Sequence, residues 1–224
     1  MAGALQVPTT TAQPRRRRAA LSRARILAAA LQLVDEDGLE ALTMRRLADQ
    51  LQIDPMSIYT YVPSKEALLD GLAEALWSEL QLPEADTGWK PTLRAFASSL
   101  RQLAHAHPHA FGLVLGRGIL PAPALSAIDT ALRSLEAAGL TSQQAAEMIR
   151  TLIAYAGGYA LLELSCAPVA RGTPLEQVVM LTRALPPDAP VRLVEVARLM
   201  ADCDMDYQFD LGLDLILTGL EARL

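Results

Sequence analysis

Cysteine and long apolar runs are both scarce in this sequence. Among its 224 residues there are two cysteines, Cys166 and Cys203, and their spacing fits neither a disulfide framework nor a metal-binding motif. No apolar stretch approaches the ~20 residues that are needed to cross a bilayer, and no secretory signal is visible. These absences predict a cytoplasmic protein that has no bound metal or cofactor and no contact with a membrane.

Patterns typical of catalysis and of β-strands are also absent. We find no nucleophile–base pair and no paired carboxylates, and Gly157-Gly158 lies inside an apolar helical pattern, which favours close helix packing over phosphate binding. His105, His107 and His109 stand two residues apart, so on a helix they would point to different sides rather than to one metal ion. No segment alternates with the period of a strand. We therefore expect an all-α protein that is not an enzyme.

Positive charge is in short supply overall but is concentrated at one end of the chain. Lys and Arg number 20 against 25 Asp and Glu, which gives a net charge of −5, whereas many nucleic-acid binders are basic. The bases that crowd the start are Arg15, Arg16, Arg17, Arg18, Arg23 and Arg25, and the acids that dominate the end are Asp202, Asp204, Asp206, Asp210 and Asp214. Such a distribution lets one end of the protein approach phosphates while the rest is repelled.

Helical periodicity and loop signals divide the chain into three parts. Residues 1–20 are polar and contain prolines, and we predict a disordered basic extension. Residues 21–70 form a first domain, with helices over 22–37, from Thr43, over 55–61 and from Lys65. Residues 71–224 form a second domain, with helices near 90–107, 108–116, 122–138, 142–166, 190–202 and 205–222.

Two short helices, joined by about three residues, occupy 43–62. Asp54 and Pro55 suit the cap and the first position of the second helix. An apolar inner face comprises Leu47, Ala48, Leu51, Ile53, Ile58 and Val62, whereas Met56, Ser57, Thr60 and Tyr61 point outward. This is a helix-turn-helix arrangement, in which the second helix enters the major groove of DNA.

The same region resembles the DNA-binding domain of the TetR family. The matching segments are 25–30 (RILAAA), 38–48 (GLEALTMRRLA) and 58–69 (IYTYVPSKEALL), and segment 209–220 (FDLGLDLILTGL) resembles the last helix of the tetracycline-repressor branch. The resemblance implies an N-terminal helix-turn-helix domain followed by a helical ligand-binding and dimerisation domain. It also implies a homodimeric repressor that binds a palindromic DNA operator and is released by a small organic effector.

The resemblance assigns DNA-binding roles to Thr43, Arg45, Pro55, Met56, Ser57, Tyr59, Thr60, Tyr61 and Lys65. Arg45 stands at a guanine-reading position, while Thr43, Tyr59 and Lys65 stand at phosphate-contacting positions. Two departures, Tyr61 in place of a histidine and Pro55 in place of a glutamine, predict an operator different from the tetracycline operator. The run 15–18 is either a solvated tail or an arm that follows phosphates or enters the minor groove.

The second domain supplies weaker candidates. For the effector pocket we name Trp77, His105, Phe111, Val114, Arg117, Tyr155 and Tyr159, although such residues usually form the core of a helical bundle. Val114 aligns loosely with a metal-binding histidine of tetracycline repressors, which predicts an effector that binds without metal.

Apolar stripes on two helices predict a dimer interface. Its residues are Ile149, Ile153, Ala156, Phe209, Leu213, Ile216, Leu217 and Leu220. The alternative is that both stripes serve the subunit's own core.

Two other functions stay open at this point. One is an all-α cytoplasmic enzyme with an incidental helix-turn-helix, and the other is a ligand-independent protein that coats DNA without sequence preference.

Overall fold

Helices and their connections account for the part of the chain that the computed structural model describes, namely residues 20–83, 88–117, 120–170, 190–201 and 204–222 with Val179, Arg183 and Pro186. The helices are α1 (Arg23–Asp37), α2 (Met44–Leu51), α3 (Pro55–Tyr59), α4 (Lys65–Ser78), α5 (Trp89–Ala106), α6 (Gly112–Gly116), α7 (Ala122–Ala137), α8 (Ser142–Ala170), α9 (Val191–Ala201) and α10 (Met205–Glu221). The predicted all-α fold is confirmed. The predicted extension at 1–20, with its arginine run, lies outside the described residues except for Ala20.

Three predicted helix boundaries are wrong. The helix expected at 142–166 continues to Ala170. The helix expected at 108–116 begins only at Gly112, because residues 108–111 form turns. Helix α5 ends at Ala106, since Pro108 disfavours helical backbone at the residue before it, His107. The helix expected at 55–61 ends at Tyr59, and residues 60 and 61 continue as a turn.

The first four helices form a head, and each begins at a side-chain cap. In each cap a side-chain oxygen accepts a hydrogen bond of 2.8–3.2 Å from a backbone N–H in the first turn. The acceptor and donor residues are Ser22 and Arg25, Thr43 and Arg46, Asp54 and Met56, and Ser64 and Ala67. Each such cap contributes about 1 kcal/mol to helix stability. The helix starts of the head are therefore encoded locally.

A close crossing of α1 and α4 holds the head together. Gly71 is buried at this crossing, where an added Cβ would lie 2.6 Å from Cδ2 of Leu27. Ile26, Leu47 and Ile58 are fully buried and connect α1, α2 and α3 in one core. The helix-turn-helix is thereby fixed as a rigid unit on α4.

Helix α5 is the centre of the second domain, hereafter the body, and packs against α7, α8 and α10. Ion pairs run along the α5–α10 contact: Lys90–Glu221 at 2.6 Å, Arg94–Asp214, and Arg101–Asp206 at 2.5 Å. Part of the acidic C-terminal region therefore holds α10 antiparallel to α5. None of the described helices is both long and apolar enough to traverse a bilayer.

Candidate DNA-binding surface and effector groove

The outer face of α3 carries the side chains that the sequence assigns to DNA recognition. Ile58 is fully buried and anchors the helix, whereas Met56, Tyr59, Thr60 and Tyr61 are exposed. Pro55 and Ser57 are half-buried beside them. The predicted recognition surface is thus accessible and is held by a short helix with a fixed start.

Two basic residues of the head have no carboxylate partner among the described residues. Arg45 and Lys65 are exposed and form no ion pair within that part of the chain, whereas Arg46 pairs with Asp37 and Arg23 pairs with Glu74. No ion pair with a described residue has to be broken before Arg45 or Lys65 can contact DNA. These two are therefore the head cations best placed to meet phosphates or base edges.

Thr43 serves two purposes without conflict. Its Oγ1 accepts the N–H of Arg46 at 3.1 Å, which caps α2. The hydroxyl hydrogen stays available, because a threonine hydroxyl both accepts and donates. Thr43 is exposed, so the hydroxyl can donate to a phosphate oxygen while the cap is kept.

The seven residues predicted to line an effector pocket do not surround one cavity. Phe111 and Val114 are buried in the core, Trp77 lines a cleft between α4 and α7, and His105 lines an open cleft between α5 and α10. Arg117 instead donates from Nε to Asp70 at 2.5 Å and from Nη2 to Glu66 at 3.0 Å. The structure therefore does not bring the seven together around one cavity, because spacing along a helix does not show which helix faces which cavity, and their role in effector binding stays a prediction.

The two tyrosines of that set hold helices together. The hydroxyl of Tyr155 donates to the carbonyl oxygen of Phe209 at 2.7 Å, and that of Tyr159 donates to the carbonyl of Met205 at 3.0 Å. Their rings and the ring of Phe209 lie 5.4–5.9 Å apart, and burial raises the pKa of Tyr155. This aromatic cluster fastens α10 to α8.

A buried carboxylate lies next to the aromatic cluster. Glu163 accepts two hydrogen bonds from Arg101, at 2.8 and 2.5 Å, and lies 3.0 Å from Nε2 of His105. The guanidinium of Arg101 also lies 4.8 Å from the ring centre of Phe209, and its hydrogen bonds to Glu163 raise its pKa. Since Glu163 is paired, we assign it a structural role.

The three histidines diverge, as their spacing predicts. His105 faces Glu163, His107 lies between Asp35 and Glu79, and the ring of His109 lies 3.2 Å from the carbonyl oxygen of Val34. Among the described residues, no three His, Cys, Asp or Glu side chains form a group that could hold a metal ion.

An apolar groove of about 630 Å³ opens between α6, α7 and α8. Its lining includes Leu115, Leu120, Ile128, Leu132, Ile149, Ile153, Gly158 and Leu161. Among the described residues that line it, Arg150 carries the charge. Most of this lining was not expected from the sequence, since the residues come from separate helices and look like ordinary core positions.

The apolar stripe predicted for the dimer faces the subunit's own core. Phe209, Leu213, Leu217 and Leu220 are buried within one chain, as are Ile149 and Ala156, while Ile153 and Ile216 are half-buried. The large apolar side chains of these two helices that are exposed, among the residues whose burial is described, are instead Leu161, Leu162, Tyr207, Leu211 and Leu215. Within one subunit these residues serve mainly the core, which was the alternative, and their part in a dimer stays a prediction.

Comparisons with known proteins identify the family. The family described as "Bacterial regulatory proteins, tetR family" matches residues 26–72. That described as "Tetracyclin repressor-like, C-terminal domain" matches residues 82–224, which is more than half of the chain. The chain belongs to the TetR family.

Several TetR relatives resemble this chain along most of its length. The transcriptional repressor DrrR1 of Streptomyces coeruleorubidus is 33% identical over 88% of this chain and 76% of its own length. The class A tetracycline repressor from transposon 1721 in Escherichia coli is 32% identical over 88% and 89%. The structure of ActR of Streptomyces coelicolor in complex with actinorhodin superposes with a TM-score of 0.77 at 30% identity and covers 91% and 98% of the two chains.

The sequence predicts TetR membership, an all-α architecture and ligand-responsive transcriptional repression, and the comparisons confirm these three points. The assignment of individual residues to DNA, effector or partner subunit stays a prediction.

Proposed function

We propose that this TetR-family protein represses transcription as a homodimer on a palindromic operator and leaves the operator when a small, largely apolar molecule occupies the groove between α6, α7 and α8. The observation that carries the proposal is the joint presence of an exposed recognition helix, an apolar groove and two head cations, Arg45 and Lys65, that form no ion pair with any described residue.

DNA recognition divides between α2, α3 and the start of α4. Arg45 reads guanine through O6 and N7 with its planar guanidinium, whereas Lys65 neutralises a phosphate. In a dimer, the two α3 helices enter successive major grooves about 34–36 Å apart. The operator is therefore a palindrome with one half-site for each head.

The homodimer forms through the outer faces of α8 and α10. Leu215, at 67% exposure, continues an apolar strip that begins at Tyr207 and Leu211, and Leu162 lies exposed on α8. Asp206 and Asp214 of α10 form ion pairs with α5 of the same subunit, so these two carboxylates are neutralised beside the apolar strip. Two helices from each protomer can thus meet in a four-helix contact.

The groove suits an organic effector. Its volume lies within the range of about 300–1,000 Å³ that is usual for sites of drug-sized ligands. The apolar lining provides contact area, and Arg150 can orient a polar substituent. The ActR complex with actinorhodin and the tetracycline repressors among the relatives support an effector of this organic class.

Coupling to the head runs through Arg117. Leu115 and Leu120 line the groove, and between them Arg117 holds Glu66 and Asp70 at the beginning of α4. Since α4 follows α3 directly, an effector that displaces this segment reorients the recognition helix. Release requires that the effector prefer the DNA-incompetent state, and a preference of about 100-fold, near 2.7 kcal/mol, gives a strong response.

Selection from a random duplex library tests the proposal. We expect a palindromic consensus, and Arg45→Ala should cost about 1–3 kcal/mol and relax preference at one position per half-site. Lys65→Ala is the matched control, because it should weaken all sequences alike and lower the salt slope by about 1 per contact. Equal binding of all sequences would favour a DNA-coating protein.

Mobility-shift titrations test release. Actinorhodin and minocycline, which are bound in the solved structures of ActR and of a TetR variant from Acinetobacter baumannii, serve as organic probes, each with and without Mg²⁺. Release that needs no Mg²⁺ supports the proposal. A probe that raises the melting temperature without changing operator affinity would contradict the release mechanism.

A further inference from the structure

The recognition helix lacks the bidentate groups that read purine edges most specifically, and its polar side chains are hydroxyls. Residues 55–61 (PMSIYTY) contain no amide, guanidinium, amine or carboxylate side chain. In the major groove, guanine is read mainly by Arg or Lys and adenine by Asn or Gln. Helix α3 must therefore use other contacts if it carries sequence preference.

Met56 is the most exposed apolar side chain of the head. It is 71% exposed, against 41% for Tyr59 and 42% for Tyr61, and these three are the exposed large apolar or aromatic side chains among residues 20–83. Methionine is flexible and polarizable, so it adapts to an irregular apolar surface. Its exposure in a free head leaves apolar surface that a partner can cover.

The backbone around Met56 is held in place while its side chain stays free. The N–H of Met56 donates to Oδ1 of Asp54 at 2.8 Å, Pro55 occupies the first position of α3, and Ile58 is buried on the opposite face. The carboxylate of Asp54 also repels phosphates at this end of α3. The first turn therefore suits base edges better than the DNA backbone.

The apolar group on the base edges of the major groove is the C5-methyl group of thymine. We propose that Met56 is a specificity-determining residue that contacts this methyl group, so that each half-site places an A·T pair against the first turn of α3. The proposal rests on the proposed function, since it requires that α3 enter the major groove.

Replacement of thymine by deoxyuridine tests the contact directly, because it removes the methyl group and nothing else. In the duplex selected from the random library, each thymine is replaced in turn. Wild-type protein should lose affinity about fourfold at one symmetry-related position per half-site, which corresponds to the burial of one methyl-sized group. Met56→Leu, which keeps an apolar side chain, should retain this sensitivity.

Met56→Ala is the decisive variant. It should bind the thymine and deoxyuridine duplexes equally at the sensitive position, whereas Lys65→Ala should weaken both and keep their ratio. Because Met56 is exposed, an unchanged melting temperature should show that the variant folds. A sensitive position that persists in Met56→Ala, or a wild-type protein that ignores every replacement, would overturn the proposal. A library without any preferred sequence would overturn the proposed function as well.

Discussion

Nδ1 of His107 lies 2.8 Å from Oδ2 of Asp35, and this contact joins the end of α5 to α1 of the head. Nε2 of the same ring lies 3.1 Å from Oε2 of Glu79, just after α4. A neutral imidazole donates from one nitrogen only, so both contacts are hydrogen bonds only when His107 is protonated. Burial lowers the pKa of His107, but the hydrogen bonds to Asp35 and Glu79 outweigh it and raise the pKa overall.

Protonation of His107 should therefore stabilise the fold in a pH-dependent way. Because the pKa is higher in the folded protein, the stabilisation is complete below the pKa of the unfolded chain and is lost as the pH rises through the folded-state pKa. His107→Gln should lower the free energy of unfolding by about 1–2 kcal/mol at mildly acidic pH and by less at alkaline pH. Chemical denaturation across this pH range measures the difference. His109→Gln is the control, since that ring faces a carbonyl oxygen; an equal loss for His107→Gln at every pH would contradict the role of protonation.

Loss of the Arg117 contacts should uncouple effector binding from DNA release. In Arg117→Met, the ratio of operator affinities without and with effector should fall from about 100 toward one, because α4 is no longer tied to the segment beside the groove. Mobility-shift titrations measure the ratio, and thermal melting checks that the effector still binds. Arg133→Met removes an ion pair with Asp129 within α7 and should leave the ratio unchanged. A full response in Arg117→Met would exclude this route.

Two leucines on opposite faces of α10 should respond differently to a charge. Leu215→Glu introduces charge on the exposed face and should yield folded monomers. Leu217 is 3% exposed, so Leu217→Glu should destabilise the subunit itself by at least about 3 kcal/mol. Light scattering and thermal unfolding separate the two effects. Leu125→Glu, at an exposed position of α7, should stay dimeric; a dimer that survives Leu215→Glu would show that this face is not the interface.

The turn of the helix-turn-helix contains backbone strain at Gln52. Its φ of 56° and ψ of 49° are left-handed, and it is the non-glycine residue with positive φ in the described part of the chain. Gln52→Gly should stabilise the protein by about 1 kcal/mol. Gln50→Gly, inside α2, should instead destabilise it by about 1 kcal/mol. Urea denaturation measures both changes, and a destabilised Gln52→Gly would mean that the glutamine side chain contributes more than the strain costs.

Local chemistry determined much of the head from the sequence alone. Asp54 and Pro55 specify the start of α3, and Ser64 specifies the start of α4, because caps act over three or four residues of chain. The alternation of buried Ile58 with exposed Met56 follows from the turn angle of a helix. These features were therefore predictable without knowledge of the body.

Only the tertiary structure decided how the body uses its apolar residues. Leu213 and Leu215 are the same residue type and lie two positions apart on α10, yet Leu213 is buried in the subunit core and Leu215 is exposed. The groove residues, and the pairing of Arg117 with Asp70, depend on which helices become neighbours. Periodicity reports that a helix has an apolar face, but the choice between two apolar faces depends on contacts between segments far apart in sequence, and these are settled only when the whole chain packs.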